Sequence, residues 1–372
     1  MPGTSAPTSE KPGEDSAAPP LARIDPQALL ALSASIFRRC GMEPADAGLL
    51  ADTLVASDLR GVHSHGVLRV PEYVGKLTVG GVDPRGRPAV VTDAGACLVV
   101  DGGNSMGQIG AAFAMERAID RAGTTGVAAV AVRGSNHCGA MASFAMQALA
   151  RDTIGLATTN ALPVMAPWGG TERLLGINPL GVAIPAGDEF PIVYDAAFSA
   201  SAHGKIRVYK QRGLRLPEGW AIDAEGRPTT DAAAAIDGLL LPIGGFKGAG
   251  LSLIMGILSS MLSGAAYGTE LGDLHRGPEP GRDGHFFLAI KVAAFEEVGR
   301  FKQRVDAAIR QLHAAKLAPG FDRIYAPGEK EFETERAFRQ EGIPLDGETL
   351  AGLRRAASAL DEDVSRYPWL AR

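Results

Sequence analysis

The N-terminal part of the chain has hydrophobic residues at the spacing of amphipathic helices. Asp25 and Pro26 form an N-cap followed by a first-turn proline, which predicts the start of a helix. A second helix is expected after the glycine that ends the first. Residues 64–77 are helical in pattern again, although Pro71 must kink or divide that helix. The sequence therefore predicts a helical region over residues 25–87.

Beyond residue 88 the pattern changes to short apolar runs, each bounded by Gly, Pro or Asp, as in the strands of a sheet. The runs cover residues 96–100, 127–132, 154–159, 180–185, 190–195 and 286–292. Helix-like segments lie between some of them, and they cover residues 108–122, 139–151 and 248–267. Strands that alternate with helices predict an α/β layer domain with a mixed sheet over residues 88–298.

The last part of the chain, residues 299–372, becomes helical and charged again. Two stretches, FKQRVDAAIRQLHAAK and ETLAGLRRAASAL, have helical patterns. We expect them to pack on the N-terminal helices, so that both chain ends form one discontinuous helical domain. Residues 1–24 are rich in Pro, Ser, Gly and Ala and lack the apolar run of a signal peptide. We expect these residues to be a disordered tail.

One segment without charges, residues 248–269, is long enough to cross a bilayer. It carries several Ser and Gly residues, however, and it has no flanking basic cluster. A buried core helix is therefore the preferred interpretation, and we expect no membrane partner.

Composition narrows the class of protein further. The net charge is −5 and no basic block occurs, which argues against nucleic acid as a partner because phosphate binding needs clustered Lys and Arg. The three cysteines, Cys40, Cys97 and Cys138, are far apart and form neither a disulfide framework nor a CxxC metal motif. This usage favours a cytoplasmic location, where thiols stay reduced.

Several well-known nucleotide and hydrolase motifs are absent from the sequence. No GxGxxG follows a predicted strand, and no GxxxxGK[ST] phosphate loop occurs. The chain also lacks HExxH and GxSxG. A nicotinamide cofactor would therefore have to bind outside the doubly wound Rossmann scheme.

A first candidate site is the segment SHGVLRVPEY, which begins at Ser64. His65, Arg69 and Tyr73 are spaced four residues apart, so in a helix they share one face. An Arg side chain presents a planar fork that matches a carboxylate, and Ser and Tyr add neutral donors. The pattern therefore indicates binding of a small carboxylic acid. The alternative is a solvated helix face with a capping serine.

A second candidate is His137, in the turn GSNHCG between an apolar strand and an apolar helix. A histidine in such a turn is exposed and titrates near neutral pH, which suits a general acid/base in carbinol oxidation or carbonyl reduction. The alternative is a capping or turn histidine. Cys138 lacks the partners of a nucleophile and is interpreted as a packing residue.

A third group consists of turns built from small residues. Their backbone N–H groups, together with the helix N-terminus near Gly248, can hold a pyrophosphate, although each turn can equally be structural. These turns are Asn160–Ala161, Asp195–Ala197 and Gly244–Gly248.

Taken together, these motifs make the chain resemble the malate/L-lactate dehydrogenase-type family of oxidoreductases over about residues 25–360. The motifs are DLRGVHSHGVLRVPEY, GSNHCGA, TNALPVMAPWGG, LGINP, HGKI, GGFKGAGLSL, LSGAAYG, APGEKEFETE and EGIPL. The resemblance implies a non-Rossmann fold in which helices from both chain ends surround a central α/β domain. It also implies a homodimer or a larger even assembly, with a shared active-site cleft.

The same resemblance implies hydride transfer between NAD or NADP and a small 2-hydroxy or 2-oxo acid. It assigns the acid/base role to His137. It assigns substrate binding to Ser64, His65, Arg69 and Tyr73. It assigns cofactor binding to Asn160, Ala161, Asp195, Ala196, Ala197, Gly245, Lys247, Gly248, Pro327, Gly328 and Glu329. Two alternatives stay open: a reductase of cyclic imine-2-carboxylates, and a non-catalytic protein that binds an anionic metabolite.

Overall fold

A mixed sheet of seven strands forms the centre of the computed structural model, which describes residues 21–274 and 277–370. In chain order the strands of the described residues are β1 Ala22–Ile24, β2 Ala89–Ala94, β3 Cys97–Asp101, β4 Val127–Ser135, β5 Thr153–Thr159, β6 Leu180–Ile184, β7 Ile192–Ala196, β8 Ala221–Ile222, β9 Pro228–Thr229, β10 Leu239–Leu240, β11 Asp283–Lys291 and β12 Ile343–Leu345. The central sheet has the order β2-β3-β4-β11-β5-β6-β7. Only the β3–β4 pair in it is parallel.

All six predicted strands of the α/β region are present, with ends that differ by a few residues. The strand β2 was not predicted. Every residue of β2 is exposed, so neither face contributes the apolar run that marks a strand in sequence. The strand β11 is the last of the sheet in sequence but lies at its centre, between β4 and β5.

The helices of the described residues are α1 Pro26–Arg39, α2 Pro44–Leu59, α3 Val70–Thr78, α4 Gly107–Thr125, α5 Ala142–Ala145, α6 His203–Gln211, α7 Ala232–Asp237, α8 Phe246–Ser259, α9 Val298–His313, α10 Glu329–Glu341 and α11 Gly347–Ser358. The predicted helix over 139–151 is only α5 followed by a 3-10 segment that ends at Arg151. Strands β8 to β10 form a separate small sheet beside α6 and α7.

The two ends of the chain meet in one hydrophobic cluster. Apolar residues of α1, α2 and α3 share this cluster with β12 and α11. Strand β1 pairs antiparallel with β12, and Ile24 is fully buried there. Residues 22–24 therefore do not belong to a disordered tail, and this part of the prediction is wrong. Residues 1–20 of the predicted tail lie outside the described residues.

The packing of helix α9 differs from the expectation that it lies on the N-terminal helices. Its buried Asp306 accepts hydrogen bonds from the backbone N–H groups of Gly187, Asp188 and Glu189. These three groups belong to the turn between β6 and β7. A carboxylate that accepts three backbone N–H groups holds α9 on the central sheet.

The charge-free segment forms α8, a helix of 14 residues. Within the described part of the chain, no helix combines the length and the apolar character needed to cross a membrane. The expectation of a buried core helix is only half right. Leu251, Ile254 and Ile257 on α8 are exposed, while Ser252 and Gly256 on its other side are buried.

A buried histidine joins the three central strands at one end of the sheet. His285 on β11 lies 2.7 Å from Ser135 Oγ on β4 and 2.8 Å from Thr159 Oγ1 on β5. The Thr159 hydroxyl donates to a backbone carbonyl, so it accepts from His285 Nδ1–H while Ser135 donates to Nε2. Burial lowers the pKa of His285 to about 3, so the ring is neutral.

This histidine makes the stability of the fold depend on pH. In the unfolded chain His285 has the ordinary pKa of 6.5 and binds a proton that the folded chain does not bind until about pH 3. The free energy of unfolding should therefore fall as the pH drops below 6.5, by about 2 kcal/mol at pH 5 from this group. Urea unfolding of the wild type and of His285→Gln at pH 7.5 and 5 measures this loss of free energy, which should be smaller in His285→Gln. Equal losses in both proteins would contradict the expectation.

Candidate active site

The candidate site begins with a turn that a buried carboxylate organises. Asp58, near the end of α2, accepts hydrogen bonds from His63 Nδ1 at 2.8 Å and from the backbone N–H of Val67 at 2.7 Å. Gly66 is required between them, because a Cβ at this residue would lie 2.1 Å from the Asp58 carboxylate. The chain therefore forms two 3-10 turns, His63–His65 and Val67–Arg69, before α3 begins.

Residues 64–77 are divided, as the proline indicated, but the division lies before Val70 rather than at Pro71. The expected common helix face of His65, Arg69 and Tyr73 therefore does not form. Pro71 is within the first two residues of α3, where its missing N–H has no cost. The 3-10 turns change the direction of each side chain. His65 and Tyr73 both approach His137, whereas Arg69 forms an ion pair with Glu72 at 2.6 Å and donates to Ser64 O at 2.9 Å.

His65 stacks on the candidate acid/base residue. Its ring lies parallel to that of His137, with centroids 5.9 Å apart, and Ser64 Oγ lies 3.0 Å from its Nδ1. Burial, assisted by the nearby charge of Arg69, lowers the pKa of His65 to about 4. His65 is therefore a neutral ring at physiological pH.

His137 follows β4 and is held by polar contacts on its neighbours. The Asn136 side chain donates to Ser105 O and accepts from the backbone N–H of Gly281, both at 2.8 Å. His137 Nδ1 lies 2.7 Å from the hydroxyl of Tyr73, which is fully buried on α3. Burial raises the pKa of Tyr73, so the phenol keeps its proton.

These side chains line a cavity of about 160 Å³ with mostly apolar walls, which we call the reaction cavity. Its lining includes His65, Tyr73, Lys76, Asn136, His137, Cys138, Gly139, Thr159, Asn160, Ala161 and Asp283. Burial lowers the pKa of Lys76 and raises that of Asp283 to about 7. Burial also raises the pKa of the Cys138 thiol, which agrees with a packing role.

A second cavity of about 310 Å³ adjoins the first, and we call it the adjoining cavity. Residues common to both linings are His65, Gly139, Ile177 and Pro179. The remaining lining of the adjoining cavity includes Arg60, Ser64, Asp195, Ala196, Ala197, Pro327, Gly328 and Glu331. Asp195 accepts from the backbone N–H of Ala142 at 2.8 Å, and burial raises its pKa to about 6.

The charges around the adjoining cavity are mainly negative. Asp195 and Glu331 line it together with Arg60. The guanidinium of Arg60 is already engaged, since it lies 3.4 Å from Glu335 and 4.5 Å above the ring of Phe332. A ligand in this cavity therefore meets little free positive charge.

The structure does not bring every predicted site residue to these cavities. The N-terminus of α8 lies beside Trp168, whose ring would be 2.9 Å from a Cβ on Gly245, and Lys247 is exposed there. Gly248 packs against the backbone of Ile243. These residues, like Arg69 and Glu329, line neither cavity.

The side-chain contacts of Glu329 are structural. Its carboxylate accepts from the backbone N–H of Ala326 and from His313 Nε2, both at 2.9 Å, and pairs with Arg323. It therefore stabilises the loop before α10, while Pro327 and Gly328 next to it line the adjoining cavity.

Three residues of the reaction cavity and its wall were missed in the sequence. Lys76 follows Tyr73 by three residues on α3, a spacing that alone could have indicated the same face. Asp283 and Gln108 carried no such signal, because β11 and α4 reach the cavity only through the tertiary fold. Among the described residues, no group of three or more His, Cys, Asp or Glu side chains is placed to hold a metal ion.

Comparison with known proteins places this arrangement among dehydrogenases. The family model described as malate/L-lactate dehydrogenase matches residues 24–354. The malate dehydrogenase of Pyrococcus horikoshii is 37% identical over 344 residues, covering 90% of this chain and 94% of that protein. The NAD(+) ureidoglycolate dehydrogenase of Escherichia coli K12 is 34% identical over 312 residues, covering 82% and 88%.

A solved structure extends the similarity to the fold. The sulfolactate dehydrogenase of Methanocaldococcus jannaschii has a TM-score of 0.89 and 34% sequence identity. The match covers 93% of this chain and all of that one. The non-Rossmann α/β architecture expected from the sequence is therefore confirmed.

Proposed function

Because this chain belongs to the malate/L-lactate dehydrogenase family, we propose that it transfers a hydride between NAD and a small 2-hydroxy or 2-oxo acid. The observation that carries the proposal is the position of His137. It lies in the wall of a mainly apolar cavity, its Nδ1 is held by Tyr73, and the cavity adjoins a second one. A proton-transferring group in a mainly apolar cavity suits hydride chemistry.

His137 is the proposed acid/base. In the oxidation direction His137 Nε2 takes the hydroxyl proton of the substrate, and in the reduction direction it returns a proton to the carbonyl oxygen. The nicotinamide, when bound, supplies or accepts the hydride. His65 is a weaker candidate for the proton, because its lowered pKa leaves it without a proton to donate at neutral pH.

The substrate carboxylate requires a cation in or beside the reaction cavity. We propose Lys76, which lines this cavity and whose Nζ donates to Glu279 O, leaving further N–H groups for a ligand. Arg69 remains the candidate that the family resemblance implies. Its guanidinium is engaged with Glu72 and with Ser64 O, and it lines neither cavity.

The adjoining cavity is the proposed cofactor site. The small side chains of Ala196 and Ala197 let a ligand approach the backbone closely. Gly328, at φ +87°, is required because a Cβ there would lie 2.7 Å from Val193 O. The carboxylates of Asp195 and Glu331 in the lining oppose an additional phosphate, which favours NAD over NADP. Fluorescence titration with NADH and NADPH should show tighter binding of NADH.

Substitution of His137 tests the acid/base role. We expect His137→Asn to lower kcat by about two to four orders of magnitude, since no other group delivers the proton. The Kd for NADH should stay near the wild-type value, because His137 does not line the adjoining cavity. If His65→Asn abolishes turnover and His137→Asn retains it, the two histidines exchange roles.

The assay should compare pyruvate, oxaloacetate and piperideine-2-carboxylate with both reduced cofactors. Turnover of the cyclic imine alone would indicate the imine reductase alternative. A protein that neither turns over these acids nor changes NADH fluorescence would instead be a non-catalytic metabolite-binding protein.

A pair of matched variants separates the two candidate cations. Lys76→Met should raise KM for the acid about 10- to 100-fold, the usual effect of losing a charged hydrogen bond. Arg69→Met should raise KM less, because Arg69 is paired with Glu72 outside the cavity lining. Steady-state kinetics at saturating cofactor measures both, and the reverse order would assign the carboxylate to Arg69.

We also propose a homodimer formed through the exposed face of α8. Leu251, Ile254, Ile257 and Met261 are spaced three or four residues apart, and all are exposed apolar side chains. Ile254→Glu should lower the mass measured by light scattering at micromolar concentration from dimer to monomer. The control Leu317→Glu changes an exposed apolar residue elsewhere. A monomeric wild type would contradict the proposal.

A further inference from the structure

Three polar side chains form a row that leads from the wall of the reaction cavity into the protein interior. Gln108 on α4 and Tyr73 on α3 are both fully buried, and His137 follows β4. Gln108 Nε2 donates to the Tyr73 hydroxyl at 3.0 Å, and that hydroxyl lies 2.7 Å from His137 Nδ1. The row therefore links a side chain that does not touch the cavity to the proposed acid/base.

The amide oxygen of Gln108 stands out in this row. Gln108 Oε1 is buried and has no hydrogen-bond partner among the described residues, although its Nε2 is paired. No hydrogen bond at this end of the amide therefore fixes which way the group points. Rotation of the amide by 180° about its terminal bond exchanges oxygen and nitrogen and turns the oxygen toward Tyr73.

The two amide orientations impose opposite proton arrangements on His137. With the Gln108 N–H donating to the Tyr73 oxygen, the Tyr73 O–H donates to His137 Nδ1, and the ring proton lies on Nε2. A ring in this form cannot accept the substrate's hydroxyl proton on Nε2. With the amide rotated, Tyr73 O–H donates to Gln108 Oε1, His137 Nδ1–H donates to Tyr73, and Nε2 carries no proton and can accept one.

We propose that Gln108 is a positioning residue whose amide orientation sets the tautomer of His137, through Tyr73. The rotated orientation serves both directions of the reaction. When Nε2 takes the substrate's hydroxyl proton, the ring becomes an imidazolium that still donates from Nδ1 to Tyr73. No proton moves along the row, and the hydride goes to the nicotinamide. The inference rests on the proposed acid/base role of His137.

Two substitutions of Gln108 should act in opposite ways. Gln108→Met has a similar shape but no acceptor, so Tyr73 can donate only to His137 Nδ1. We expect a loss of kcat for oxidation of about 10- to 100-fold, a part of the usual acid/base contribution. Gln108→Glu, when ionised, provides an acceptor and no donor. We expect kcat within about threefold of the wild type and an acid limb of the pH profile that moves to higher pH.

The other titratable groups around the reaction cavity are the same in both variants. They are His65 on the 3-10 turn, Tyr73 and Lys76 on α3, Cys138 after His137, and Asp283 on β11. A difference in pH profile between the variants therefore comes from the row of Gln108, Tyr73 and His137. NADH titration controls for misfolding, because Gln108 does not line the adjoining cavity, and both variants should bind NADH like the wild type.

Nitrogen-15 NMR of histidine-labelled protein gives a readout that does not depend on turnover. The signal that disappears in His137→Asn is that of His137. We expect Nδ1–H in the wild type and in Gln108→Glu, and Nε2–H in Gln108→Met.

A wild-type tautomer and pH profile in Gln108→Met would overturn the inference. A changed tautomer with unchanged kcat would support the row but remove His137 from the acid/base role. If Gln108→Met does not fold, Tyr73→Phe breaks the same row and should remove the preference for one tautomer.

Discussion

The neutral side chain of His285 is the contact on which the site depends. It joins β4, β11 and β5 at the end of the sheet where the two site-forming segments leave their strands. The segment with His137 directly follows Ser135, which contacts His285. Asn160 directly follows Thr159, which contacts His285 from the other side. Because a buried protonated imidazole would have no solvent, the ring is neutral and can act as donor and acceptor at once. This side chain and the backbone ladders of β11 with β4 and β5 together fix the distance between the two segments.

A second constraint comes from the helical layer. The buried carboxylate of Asp58 holds the turn that carries His65, and α3 carries Tyr73 and Lys76 into the same cavity. Burial then acts in the same sense on several titratable groups there. It lowers the pKa of His65 and Lys76 and raises that of Asp283, so each of these groups is shifted toward its neutral form.

Helix α8 connects the proposed dimer surface to the lining of the cavity. Its outward face is apolar and exposed. The residues on its inward face and at its end bind two asparagines, since Asn178 donates to Ser252 O at 2.8 Å and Asn160 donates to Ser260 Oγ at 2.7 Å. The Asn178 side chain in turn accepts from the backbone N–H of Ala161. The helix that would meet a second copy therefore also holds the loop that lines the reaction cavity.

The sequence alone determined six of the seven strands of the central sheet, the first two helices and the acid/base candidate, because these follow from local hydrophobic spacing and turn composition. The tertiary structure decided the rest. Lys76 rather than Arg69 lines the reaction cavity, because Asp58 imposes 3-10 turns that no periodicity shows. The place of β11 at the sheet centre, and the contact of Gln108 with Tyr73, join residues far apart in the chain. Pairings of that kind depend on packing between elements, and a single sequence carries no local signal for them.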